Sequence, residues 1–208
     1  VENIININFV QNEKNLELKT KGYISTKFYT ENAYDFNSYS KIIKNAESQV
    51  RNSEEYKDYI LYLKMEIGLT NCAVLGNINH ADAEIEMHHY PFTLYDLADI
   101  IAINKILNKE KCNSFLIAEE LINLHYKNLI GVVPLCKTVH DLVHAGEIFI
   151  NLKQVFGNVE EFVNIYKNAI NFDQKKGLNK IIEMSALNLE IDYKGLLAIN
   201  LEKSKDYI

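Results

Sequence analysis

Four of the six histidines fall in two tight pairs, His88-His89 and His140-x-x-x-His144. Residues four apart on a helix project from one face, so His140 and His144 can aim their ring nitrogens at a single point, as a divalent-metal site requires. Adjacent residues at the end of a strand point to opposite sides. His88 and His89 can therefore divide the labour, one ring coordinating an ion while the other faces an attacking water. Plainer alternatives stand beside these. The helix pair can be solvated, and the strand pair can be one core histidine with a satisfied hydrogen bond next to one solvated histidine. His80, in a polar loop, and His125, near a helix end beside Tyr126 and Lys127, read as surface or structural residues.

To bring the pairs together, the chain must end a strand near His88 and start a helix before His140. The pattern from Ala83 to His88 predicts such a strand. Ile130 to Leu135 reads as a second, buried strand, running into a short helix from Lys137 to His144 that Gly146 stops. Between the strands, Thr93 with Asp96 predicts a capped helix over Leu94 to Leu107, and Ser114 a cap for Phe115 to His125. Upstream, helical spacing covers Ser38 to Gln49 and Ser53 to Ile67. Asn52 or Ser53 would cap the second of these, Glu54 and Glu55 sit well in its first turn, and Gly68 ends it. Asn3 to Val10, then Leu16, Leu18 and Tyr23 to Phe28, predict an N-terminal β-hairpin. Downstream lie a strand remnant from Ile148 and helices around 151–156, 159–170 and 174–188. The expected class is α+β, with residues 1–208 forming one domain: hairpin and helices over 1–70, the histidine-bearing core over 71–150, and a helical extension over 151–208.

A chain of 208 residues that is 48% hydrophobic has ample material for a core. No run approaches the roughly 18 apolar residues of a membrane span, and no basic-then-apolar leader is evident, so a soluble, cytoplasmic protein with no membrane partner is expected. Cys72, Cys112 and Cys136 form no CxxC pair, and Cys136 is expected to bury its thiol at a strand-helix turn. The formal charge of -6 argues against wrapping long duplex DNA by electrostatics alone. A metal and a few lysines can still make one groove locally positive. Arg51 is the only arginine, and this scarcity, with abundant Asn, Ile and Lys, suggests an AT-rich source.

The strings Ile85-Glu86-Met87-His88-His89-Tyr90-Pro91 and Val133-Pro134-Leu135-Cys136-Lys137-Thr138-Val139-His140-Asp141-Leu142-Val143-His144 resemble the signature of the HNH, or ββα-metal, endonucleases. In that family a strand ends in ExHH, and a second strand leads through an LC-type turn into a helix carrying HxxxH. The likeness is greatest to phage-encoded and colicin-type members and covers about Cys72 to Ile150. It implies a ββα-metal core with two helices inserted between the strands. It also implies His88, His140 and His144 as ligands of one divalent ion and His89 as general base.

Around that set, Glu86 either orients a ligand histidine through its outer nitrogen or pairs with Arg51, or is an ordinary solvent-facing carboxylate. Arg51 is a candidate for the scissile phosphate, with a helix-end ion pair as the alternative, and Lys137 near the helix start is a second phosphate candidate. The family's middle Asn, which orients the base, would fall at Gly131. Asn128, three residues away, takes that role if the strand begins differently. Asp141 reads as solvated, and Tyr56, Tyr59 and Tyr62 as packing residues at helical spacing.

The resemblance thus implies hydrolysis of a phosphodiester. Three neutral nitrogen ligands favour Zn²⁺, Ni²⁺ or Mn²⁺ over Mg²⁺. The expected partner is DNA, cut by a phage or mobile-element endonuclease. Two alternatives stand: a phage counter-defence protein that binds or cleaves a small cyclic nucleotide, and a noncatalytic binding protein whose histidines form a structural metal clip. A homodimer is left open.

Overall fold

A computed structural model describes residues 36–186 of the chain. The hairpin expected within residues 3–28 and the end of the last helix, beyond Ala186, lie outside the described residues. Among those described, the protein is α+β, with seven α-helices and one antiparallel pair of strands. In chain order these are α1 (Phe36–Asn52), α2 (Glu54–Met65), β1 (Ile85–His89), α3 (Leu94–Leu107), α4 (Ser114–Tyr126), β2 (Val132–Cys136), α5 (Lys137–His144), α6 (Val159–Tyr166) and α7 (Phe172–Ala186). A single 3₁₀ turn, Leu152–Gln154, stands where a helix was expected over 151–156.

Local chemistry accounts for most of the helix starts. Ser53 caps α2 by accepting from the Tyr56 amide, and Glu54 and Glu55 face the positive end of its dipole. Thr93 and Asp96 form a reciprocal capping box at the start of α3. At α4 the cap is Asn113, whose side chain accepts from the Leu116 amide, and the expected cap Ser114 is instead a buried first helical residue. Gly146, at φ +74°, ends α5 where a residue with a Cβ would be strained.

Two apolar clusters sit on either side of the strand pair. The larger joins α1, α3 and α4 with the tyrosine face of α2 and with Phe162 and Tyr166 of α6. The smaller gathers Val133, Leu135, Val139 and Ile150 beneath α5, together with Cys72 and Cys136. The register pairs Glu86 with Leu135, His88 with Val133, and His89 with Val132. Because directly opposed residues share a face, Glu86 and His88 look toward α5 while His89 looks toward the helical cluster. The alternation read from the sequence therefore governs the site, and β2, buried along its whole length, is the layer between the two clusters.

Candidate metal centre

β1 delivers His88, and α5 delivers His140 and His144. Val139 of α5 is buried in the smaller cluster and Val143 packs against it, which turns the neighbouring histidine stripe back over β1. One ligand atom from each of the three histidines lies within 4.8 Å of the other two. The ring of His88 meets those of His140 and His144 edge-on, with centroids 4.8 and 4.9 Å away. Nε2 of His140 and Nε2 of His144 are 3.1 Å apart.

Glu86, two residues before His88 on the same face, brings a carboxylate oxygen to 2.6 Å from Nδ1 of His140. An ionised carboxylate only accepts, so Nδ1 of His140 carries the proton of that contact, and its Nε2 faces His144. Of the two jobs open to Glu86, the structure shows the histidine contact. Burial first, and then the neighbouring His140, His144 and Arg51, push His88 down to about 4, leaving it a neutral donor at ordinary pH. Three converging imidazoles, one of them held by an outer carboxylate, are a donor set that suits a borderline divalent cation.

This group forms part of the wall of an open cleft of about 470 Å³. Arg51 and Lys64 contribute cations to the wall and Glu84 an acid, with Tyr56, Thr93 and His89 completing the rim. Arg51, in the last turn of α1, is also held by Glu47 at 2.9 Å, so the helix-end ion pair and the cleft position coexist.

His89 departs from the open, water-facing picture. Only 6% of it is exposed. Its ring stacks on Tyr56 at 6.0 Å, and its Nε2 lies 2.9 Å from Nε2 of His125. Burial above all, then the proximity of His125, Arg51 and His88, holds its pKa well below the ordinary histidine value. His125, expected at the surface or in a structural role, is wholly enclosed, with the edges of Tyr56 and Tyr59 against it. Its spacing four residues after Leu121 and eight after Ile117 was the available sign of burial.

Two further candidates sit elsewhere. Asn128 does not line the cleft; it follows the C-cap of α4 at φ +53°, a conformation Asn tolerates, and its Oδ1 is buried without a partner. Gly131 cannot supply an asparagine equivalent either, because a Cβ there would collide with the Tyr90 carbonyl oxygen and with Val155 and Val159. Lys137 is exposed on the first turn of α5 and is not part of the cleft wall. Asp141 is exposed, Cys136 is buried beside Cys72, and Tyr56, Tyr59 and Tyr62 are buried packing residues, as the sequence reading has them. Lys64 and Glu84 were not singled out, and Thr93 only as a helix cap, since nothing in their local spacing marks them for the cleft; tertiary approach alone brings them there.

Fold and site together define an α+β protein with a three-histidine candidate metal centre on an open cleft. The chain belongs to the bacteriophage G278-like virion protein family, whose model matches residues 1–206. That membership supports the phage source expected above; it carries no indication of an HNH nuclease. No curated protein and no solved structure matches the chain. No helix among the described residues is long and apolar enough to cross a membrane.

Proposed function

We propose that this virion protein is a metal-dependent phosphodiester hydrolase acting on DNA, in which β1, β2 and α5 form a ββα-metal unit and α3 and α4 are its insertion. The observation that carries the proposal is the convergence of His88, His140 and His144 within 4.8 Å on the cleft. The Glu86 contact to His140 adds support. These three histidines would hold one Zn, Ni, Mn or Mg ion, which when bound would supply Lewis-acid stabilisation of charge on the phosphate.

The remaining steps belong to the chain. His89 takes a proton from the attacking water, whose electron pair goes to phosphorus, and the 3′ oxygen departs. Arg51, on the cleft rim, attracts the phosphate and neutralises part of its charge. Such an activity in a virion protein would act beside packaged or entering DNA.

The test is nicking of supercoiled plasmid by the purified full chain with Mn²⁺. Nicking is expected for the native protein. Loss is expected in His89→Ala with metal still retained, and a His89→Ala protein as active as the native one would overturn the assignment. A second reading keeps the site and changes the substrate. A cleft of about 470 Å³ suits a small nucleotide, and a chain of net charge -6 is a poor binder of long duplex. Turnover of a cyclic dinucleotide without plasmid nicking would decide for it. Retained metal with neither activity would decide for a structural clip.

A further inference from the structure

We infer that His125 is a positioning residue for His89: it fixes the tautomer of that ring so that Nδ1 of His89, a residue that lines the cleft, is the atom that accepts the proton. The catalytic part of this rests on the hydrolase reading above. The tautomer itself rests on hydrogen-bond geometry alone.

Nδ1 of His125 lies 2.7 Å from the carbonyl oxygen of Leu121, one turn earlier on α4. A carbonyl oxygen only accepts, so the proton of His125 sits on Nδ1. Enclosure with no exposed surface pushes His125 down to about 4, against a smaller upward pull from that carbonyl, so the ring is neutral and has a single N–H. Its Nε2 is then a bare lone pair. Nε2 of His89, 2.9 Å away, must be the donor.

With its proton committed to His125, a neutral His89 carries its lone pair on Nδ1. Among the described residues no group hydrogen-bonds that nitrogen, and it is not counted with the sealed, partnerless polar atoms. His89 contributes to the cleft wall. Tyr56, stacked on His89 and edge-on to His125, and Tyr59, edge-on to His125, hold both rings against flipping. This relay fills the place of the orienting asparagine that neither Gly131 nor Asn128 can provide.

The proton count closes. One proton moves from water to Nδ1 of His89, while the bond from Nε2 to His125 and the bond from His125 to Leu121 persist. The imidazolium that forms therefore still donates to an acceptor prepared for it. Without His125, a buried Nε2–H has no acceptor, and the His89 proton is better placed on Nδ1 facing cleft water, where it blocks base action.

Long-range ¹H–¹⁵N correlation spectra of the ¹⁵N-labelled full chain read the tautomers directly. The expected pattern is a pyrrole-type Nδ1 and pyridine-type Nε2 for His125, with the reverse for His89. A His89 ring protonated at Nδ1, or exchanging between tautomers, would overturn the inference. In the plasmid assay, His125→Phe, which keeps a ring but no acceptor, should lower kcat on the order of 100-fold with KM and metal retention little changed. His125→Gln, whose carboxamide oxygen can accept from His89, should recover part of that loss. An unchanged kcat in His125→Phe would refute the positioning role. If the native chain nicks no DNA, the hydrolase reading fails, while the spectra still decide the tautomer.

Discussion

The two faces of β1 carry the same side chain one residue apart, yet they make different environments. On the α5 face, His88 meets His140 and His144, with one ligand atom of each ring within 4.8 Å of the others. That group is graded in exposure from buried His88 to exposed His144. On the helical face, His89 meets one partner, His125, nitrogen to nitrogen at 2.9 Å in a tyrosine-lined enclosure. The three converging histidines form a group that could hold a metal ion, whereas His89 and His125 make a single donor-acceptor pair. The difference lies in the partners each face supplies: an amphipathic helix with histidines at i and i+4 on one side, and a wall of Tyr56, Tyr59 and His125 on the other.

The largest expected effect separates the two faces by what each residue supports. His125→Ala removes an enclosed ring, opens a cavity and leaves the Nε2–H of His89 without an acceptor, which should cost roughly 3 kcal/mol or more in chemical unfolding. His144→Ala, at an exposed position, should leave the stability of the metal-free chain within about 0.5 kcal/mol. It should nevertheless abolish most Zn²⁺ retention in titration calorimetry. Equal destabilisation by the two substitutions would erase the distinction between a ligand face and a packing face.

Much of the open face was legible along the chain and little of the closed one. The capping box at Thr93 and Asp96 marked α3 at its observed bounds, and the Lys137–His144 helix likewise, because caps and i, i+4 stripes are local signals. Strand ends shifted instead. β1 was expected over Ala83 to His88 and spans Ile85–His89, since its limits are set by pairing with β2 and not by its own residues. The two histidine pairs were visible in the spacing, and their grouping into a trio was what the HNH resemblance implied. His125 could not be joined to His89, because their meeting depends on how α4 leans on β1, 36 residues apart. At Asn128, counting along a motif suggested an orienting role, and the structure shows that residue turning out of α4 at positive φ, away from the cleft lining.

An effect of similar size acts through pH and sharpens the contrast from the buried side. His125 is held down at about 4, below the ordinary histidine value of 6.5, chiefly by burial. The unfolded chain therefore binds more protons than the folded one between those values, and the stability this group contributes is complete above about 6.5 and is lost as pH falls toward 4. That depression corresponds to roughly 3 kcal/mol. Urea unfolding of the metal-free chain should show a midpoint that falls from pH 7 to pH 4. His125→Phe, having no group to titrate there, should reduce that dependence and leave the part that His88 and His89 carry. A slope that persists unchanged in His125→Phe would move its origin away from His125.

The smallest effect tests the open face from its outer edge. Glu86 touches His140 and none of the other trio rings among its described contacts, so its carboxylate acts on an ion only by setting the tautomer and basicity of that ligand. Glu86→Gln keeps the shape and can still accept a proton from Nδ1 through its carboxamide oxygen, but it removes the negative charge that makes Nε2 a stronger donor. Zn²⁺ affinity should fall by about 10- to 100-fold. The His125–His89 tautomer pattern should not change, because Glu86 and His89 project from opposite faces of β1. Coupling between the two readouts would mean that the strand transmits what its alternation should keep apart.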